Sequence, residues 1–67
     1  MKFKIKDLLW NSYYGENMMF KTKKEIHEEL KRYHEGVAEN KTRKQEIKKM
    51  SLSAILDTFS WKIVKIN

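Results

Sequence analysis

Residues 22 to 36 read TKKEIHEELKRYHEG, the one stretch of this 67-residue chain where a start signal, a periodic apolar face and a stop signal occur together. Thr22 followed by Glu25 fits a capping box, in which the Thr hydroxyl takes the amide of the third helical residue and the carboxylate reaches back to the cap. Gly36 supplies the stop. At about 100° per residue, Ile26, Leu30, Tyr33 and Val37 fall within a wedge roughly 60° wide. The spacing predicts one amphipathic helix whose narrow apolar stripe must be covered by the rest of the chain.

Upstream, Lys2 to Lys6 alternates strictly, with Phe3 and Ile5 on one face and Lys2, Lys4 and Lys6 on the other, as in a strand with one buried face. Leu8, Leu9 and Trp10 break the alternation, so a bulge or the end of the strand lies near Asp7. Tyr13 and Tyr14 precede Gly15, Glu16 and Asn17, which read as a hairpin turn leading into a second strand over about Asn17 to Lys21.

Downstream, Asn40 to Thr42 reads as a loop, and Thr42 with Gln45 forms a weaker capping box for a short helix from Arg43 to Met50. Its Ile47 and Met50 are rotated away from Leu52, Ile55, Leu56 and Phe59, so a single helix through both sets is excluded and a break is expected near Ser51. Ser51 can cap the separate helix LSAILDTF. Trp61 to Ile66 is β-branched and apolar on both faces except at Lys62 and Lys65, which suggests a central strand. The expected fold is α+β: a small three-stranded, mainly antiparallel sheet with one long amphipathic helix and one or two short helices on one face, in the order β-β-α-α-β.

The order of a lysine-rich opening strand, the YYGE turn, the helix TKKEIHEELKRYH and the closing SLSAILDTFSWKIVKI resembles the short uncharacterised proteins carried by phages and prophages of low-GC Gram-positive bacteria. The likeness covers Phe20 to Tyr33 and Leu52 to Ile66 and consists of helix and strand patterns rather than a catalytic signature. It implies an accessory protein that acts in the host cytoplasm on host machinery or on phage gene expression.

A chain this short forms one domain with a modest core, and it has no cysteine for a disulfide or a thiolate metal site. With 40% hydrophobic residues it is too apolar to be read as disordered. No apolar run approaches the roughly 18 residues of a membrane span, and MKFKIKDLLW lacks the features of a signal peptide. Fifteen basic against nine acidic residues give a net charge of +6, which favours acidic partners, although only Arg32 and Arg43 carry the bidentate fork suited to specific phosphate or base recognition.

No cofactor, metal or catalytic constellation is expected. His27 and His34 are seven residues apart, about 10.5 Å along a helix, and the one-turn spacing of a zinc-binding HExxH is absent. They lie about 100° and 80° around the wheel from Ile26 and are expected to edge the apolar stripe. The serines have no glycine-framed nucleophile turn around them, and two glycines cannot build a phosphate-cradling loop. Two candidate surfaces remain. Tyr13, Tyr14 and Glu16 form an aromatic hairpin in which one ring must point outward, the kind of anchor used at protein interfaces. Lys41, Arg43, Lys44, Lys48 and Lys49 form the densest basic cluster and could track a nucleic-acid backbone. The favoured function is non-enzymatic binding that inhibits or redirects a host protein or nucleoprotein, for example as an anti-defence protein. The alternative is a small nucleic-acid-binding regulator. Monomer and homodimer are both open.

Overall fold

The computed structural model describes residues 2–66. β1 (Lys2–Asp7) lies at the centre of a three-stranded antiparallel sheet, between β2 (Ser12–Tyr13) and β3 (Trp61–Ile66). It pairs with β3 along its whole length, from Lys2 opposite Ile66 to Asp7 opposite Trp61, and with β2 through Lys6 opposite Tyr13. The helices α1 (Lys23–Gly36), α2 (Lys41–Lys49) and α3 (Leu52–Phe59) complete an α+β fold. Ile26, Leu30 and Ile55 from the helices meet Ile5 and Phe20 in one buried cluster, with Phe3, Trp61 and Ile63 packed against it. The sheet alternation therefore turns Phe3 and Ile5 toward the helices and leaves Lys2, Lys4 and Lys6 on the other face.

The strand expected over Asn17 to Lys21 does not form. The first reversal occurs earlier, at Leu8–Asn11, where the Asp7 carboxylate accepts the amides of Leu9 at 2.9 Å and Trp10 at 3.1 Å. A short acidic side chain bonding its own backbone two residues on closes a turn without glycine, and Asn11 completes it at φ 53°. This ends β1 at Asp7 and places β2 five residues ahead of the expected strand. Gly15, Glu16 and Asn17 do form a turn, with φ of 60°, 54° and 73°, but it is an excursion from one edge of β1 rather than a hairpin between two strands. The chain leaves that edge at Tyr14, whose amide bonds Ile5 O, and returns at Phe20, which exchanges both backbone bonds with Phe3. Phe20 is thus an isolated bridge.

β3 lies at the edge of the sheet rather than at its centre. Its apolar content covers two faces only in part, since Trp61 and Ile63 pack on the core while Val64 and Ile66, on the opposite face, are half-buried. The long partner of both edges is β1, because the turn at Asp7 and the helix-to-strand link at Ser60 (φ 57°) both deliver chain alongside it.

α1 begins as expected, with the Glu25 amide bonding Thr22 Oγ1 at 3.2 Å. The reciprocal contact is from the Thr22 hydroxyl to the Glu25 carboxylate, at 3.4 Å. The buried face is rotated toward the histidines. Ile26, Leu30 and His34 are buried, whereas Tyr33 and Val37, expected in the stripe, are 44% and 63% exposed. His34 wins the inward position because Trp61 and Phe59 offer its ring a hydrogen bond and a stacking surface. α2 is formed and starts at Lys41, earlier than expected, because Asn40 rather than Thr42 caps it by accepting the Arg43 amide at 2.9 Å. The break falls at Met50, whose ψ of 136° is extended, and Ser51 caps α3 by accepting the Ala54 amide. Among the described residues, no helix is long and apolar enough to cross a membrane.

Candidate functional site

Six of the eight large exposed apolar side chains among the described residues fall in one arm, at Leu8, Leu9, Trp10, Tyr13, Met18 and Met19. The tip of this arm is the turn between β1 and β2, where Leu9 is 75% and Trp10 80% exposed. Its backbone is nonetheless fixed at three consecutive amides. Leu8 N bonds Ser60 O at 2.9 Å, and the next two amides bond the Asp7 carboxylate. The tip is therefore an apolar surface presented to solvent on a hydrogen-bonded frame. Sequence reasoning missed Leu8, Leu9 and Trp10 as a surface feature. The available signal was an Asx acceptor, Asp7, directly before three apolar residues that end an alternating strand.

The structure separates the two hairpin tyrosines. Tyr13 stands opposite Lys6 on the lysine face of the sheet, with Lys4 Nζ 5.2 Å from its ring centre. Tyr14 points the other way and packs edge-on against Tyr33 and Trp61, at 5.6 and 5.7 Å between ring centres. Burial raises the Tyr14 hydroxyl above its usual pKa, with the Glu29 carboxylate adding to the shift. Tyr14 is thus a wall of the core, and Glu16 is exposed on the neighbouring excursion.

The basic cluster of α2 is divided. Arg43 is half-buried, lies 5.5 Å over the Phe59 ring and bonds Glu46 at 3.3 Å, while Lys48 pairs with Glu35 at 3.7 Å. Arg43 sits about 40° around the helix from buried Ile47, so it faces the fold, whereas Lys41, Lys44 and Lys48 share the opposite flank, about 60–120° from Ile47. Lys49 stands apart from them, about 80° on from Lys41. The five residues do not make one basic surface.

Both histidines are engaged within the fold. His27 Nε2 donates to the Met50 carbonyl at 2.8 Å, which ties α1 to the break between α2 and α3. His34 Nε2 accepts the Trp61 indole N–H at 2.9 Å, and its ring stacks on Phe59 at 3.6 Å. Burial lowers the His34 pKa, and the Arg43 cation lowers it further. An open cleft of about 510 Å³ runs beside it, lined by Thr42, Arg43, Glu46 and Phe59 among others. No group of three or more potential metal ligands occurs among the described residues.

Comparison of the chain with protein-family models, with curated proteins and with solved structures finds no match in any of the three.

Proposed function

We propose that the protein is a stoichiometric, non-catalytic binding protein that docks on a protein partner through the Leu8–Asn11 tip and the adjoining Tyr13. The observation that carries this reading is a tryptophan 80% exposed on a backbone already held by Asp7 and Ser60. Exposed aromatic anchors supply much of the energy of protein interfaces. An anchor ordered before binding avoids most of the entropy cost of immobilising a loop. Met18 and Met19 are exposed as well, but they precede Phe20, which pairs with Phe3 at the far end of β1 from the tip. Tyr14 contributes by supporting the arm from the core side. A non-catalytic role is supported by the histidines, whose Nε2 atoms serve hydrogen bonds within the fold.

The pattern resemblance to phage-borne proteins supports an action in the cytoplasm of a bacterial host, where the protein inhibits or redirects a host protein or nucleoprotein, such as a defence component. The runner-up, a nucleic-acid regulator reading through α2, is weakened by the ion pairs of Arg43 and Lys48. The test is affinity capture from nuclease-treated lysate of a low-GC Gram-positive host, with wild type and the Leu9→Ser, Trp10→Ala double variant side by side. The expected result is a protein retained by the wild type after nuclease and lost with the variant. Capture that is indifferent to both substitutions, or that vanishes with nuclease, would overturn the proposal.

A further inference from the structure

The sheet has two unlike faces. The helices close one, and the other presents Lys2, Lys4 and Lys6 of β1, Lys62, Val64 and Ile66 of β3, and Tyr13 of β2. The pairing sets Lys6 between Tyr13 and Lys62, and Lys4 beside Val64. No acidic residue occupies any of these outward positions. Among the described residues the ion pairs are Glu29–Arg32, Arg43–Glu46 and Glu35–Lys48, so none of the four lysines belongs to one. Lys4 is positioned by neutral neighbours, the Asn17 side-chain oxygen at 3.3 Å and the Tyr13 ring.

We infer that this face binds single-stranded nucleic acid, sharing Tyr13 with the protein-docking surface but not needing the Leu8–Asn11 tip. Alternate residues of a strand stand about 6.6 Å apart, so β1 carries a row of three cations at a regular spacing, comparable with that of the phosphates of an extended single strand. Lys62 widens the row across the neighbouring strand. Tyr13, at the side of that row and 37% exposed, offers a ring on which a splayed base can stack. Val64 and Ile66 give a half-buried aliphatic floor beside the cations. A cationic track flanked by a stacking ring fits a ligand whose charged backbone alternates with flat bases. A duplex keeps its bases stacked inside, and a peptide made of acidic residues alone has no ring to place on Tyr13.

The test is fluorescence anisotropy with a labelled twelve-nucleotide oligothymidylate and its RNA counterpart, a duplex of equal length, and an acidic oligoglutamate peptide as competitor, each in a salt series. The expected result is single-strand binding at least tenfold tighter than duplex binding, with a log–log salt slope of about −0.7 for each phosphate contacted. Lys4→Gln combined with Lys6→Gln should weaken it at least tenfold and flatten the slope. Tyr13→Ala should weaken it at unchanged slope, and Lys41→Gln with Lys44→Gln should change it less than twofold. Circular dichroism of each variant establishes that the fold is retained. No single-strand binding in low salt, equal binding of duplex, equal loss from the α2 substitutions, or preference for the acidic peptide would each overturn the inference. Leu9→Ser with Trp10→Ala should leave oligonucleotide binding intact, which separates this surface from the tip.

Discussion

His34 shows how one residue can carry two kinds of information. Its ring is buried, accepts a hydrogen bond from Trp61 and stacks on Phe59, and both burial and Arg43 hold its pKa below the usual 6.5. The unfolded chain takes up a proton near 6.5 and the folded protein only at lower pH, so between these values the unfolded state binds more protons. Stability should therefore fall on acidification below about pH 6.5, with a slope from this residue of at most about 1.4 kcal/mol per pH unit. Urea unfolding between pH 7.5 and 5.5 checks this, because His34→Gln should flatten the dependence although the variant is less stable throughout. The same pH dependence in both proteins would assign it elsewhere. Trp61→Phe keeps the ring but leaves the buried His34 nitrogen unpaired, which should cost about 1–3 kcal/mol in the same measurement. Gly36 makes the complementary point. It lacks a positive φ and nothing lies within 4 Å of where a Cβ would be, so Gly36→Ala should stabilise the protein by about 0.4–1 kcal/mol in thermal or urea melts. A melting temperature lowered by this change would show that the glycine is needed as the stop.

At the scale of elements, the legible parts of the sequence are those fixed by local chemistry. The Thr22 cap, the Ser51 cap, the break before α3 and the alternation of β1 each depend on residues within one turn or one strand, and all four are formed as the patterns indicate. The errors lie where a long-range contact decides. The α1 face turned by tens of degrees because His34, polar by composition, found Trp61 and Phe59 27 and 25 residues further on. The rank of β3 as edge or centre depended on which strand β1 could pair with twice, which no single segment encodes. The turn at Asp7 was local and readable, yet the three apolar residues after it left a bulge and the end of the strand equally open. Since Asp7 accepts two amides there, Asp7→Ala should destabilise the protein by about 1–3 kcal/mol and loosen the tip. Equal stability of the two proteins in urea would show that the carboxylate does not organise the turn. Ile26→Asp or Leu30→Asp, each placing a carboxylate at a fully buried position, should abolish cooperative unfolding, whereas Lys24→Ala should leave the melting temperature unchanged.

Across the whole molecule, a small set of buried side chains has to hold three strands and three helices, and most of it lies between the helices and one face of the sheet, with Ile47 of α2 buried outside that cluster. The other face, half-exposed, and the apolar side chains of the Leu8–Asn11 tip are turned away from that core, with cations on the first and apolar groups on the second. The lysine face was visible in the alternation of Lys2, Lys4 and Lys6. The apolar arm was not, because hydrophobic residues are read as core until the topology shows there is no layer to cover them. Docking as proposed requires the Leu8–Asn11 tip to be both exposed and ordered in the free protein. Backbone ¹⁵N relaxation of Leu8, Leu9 and Trp10 measures this without knowledge of any partner. Order parameters of about 0.85, equal to those of β1, are the predicted result. Values below about 0.6, with the β1 values unchanged, would show a mobile loop and contradict the reading of the tip as a prebuilt docking surface.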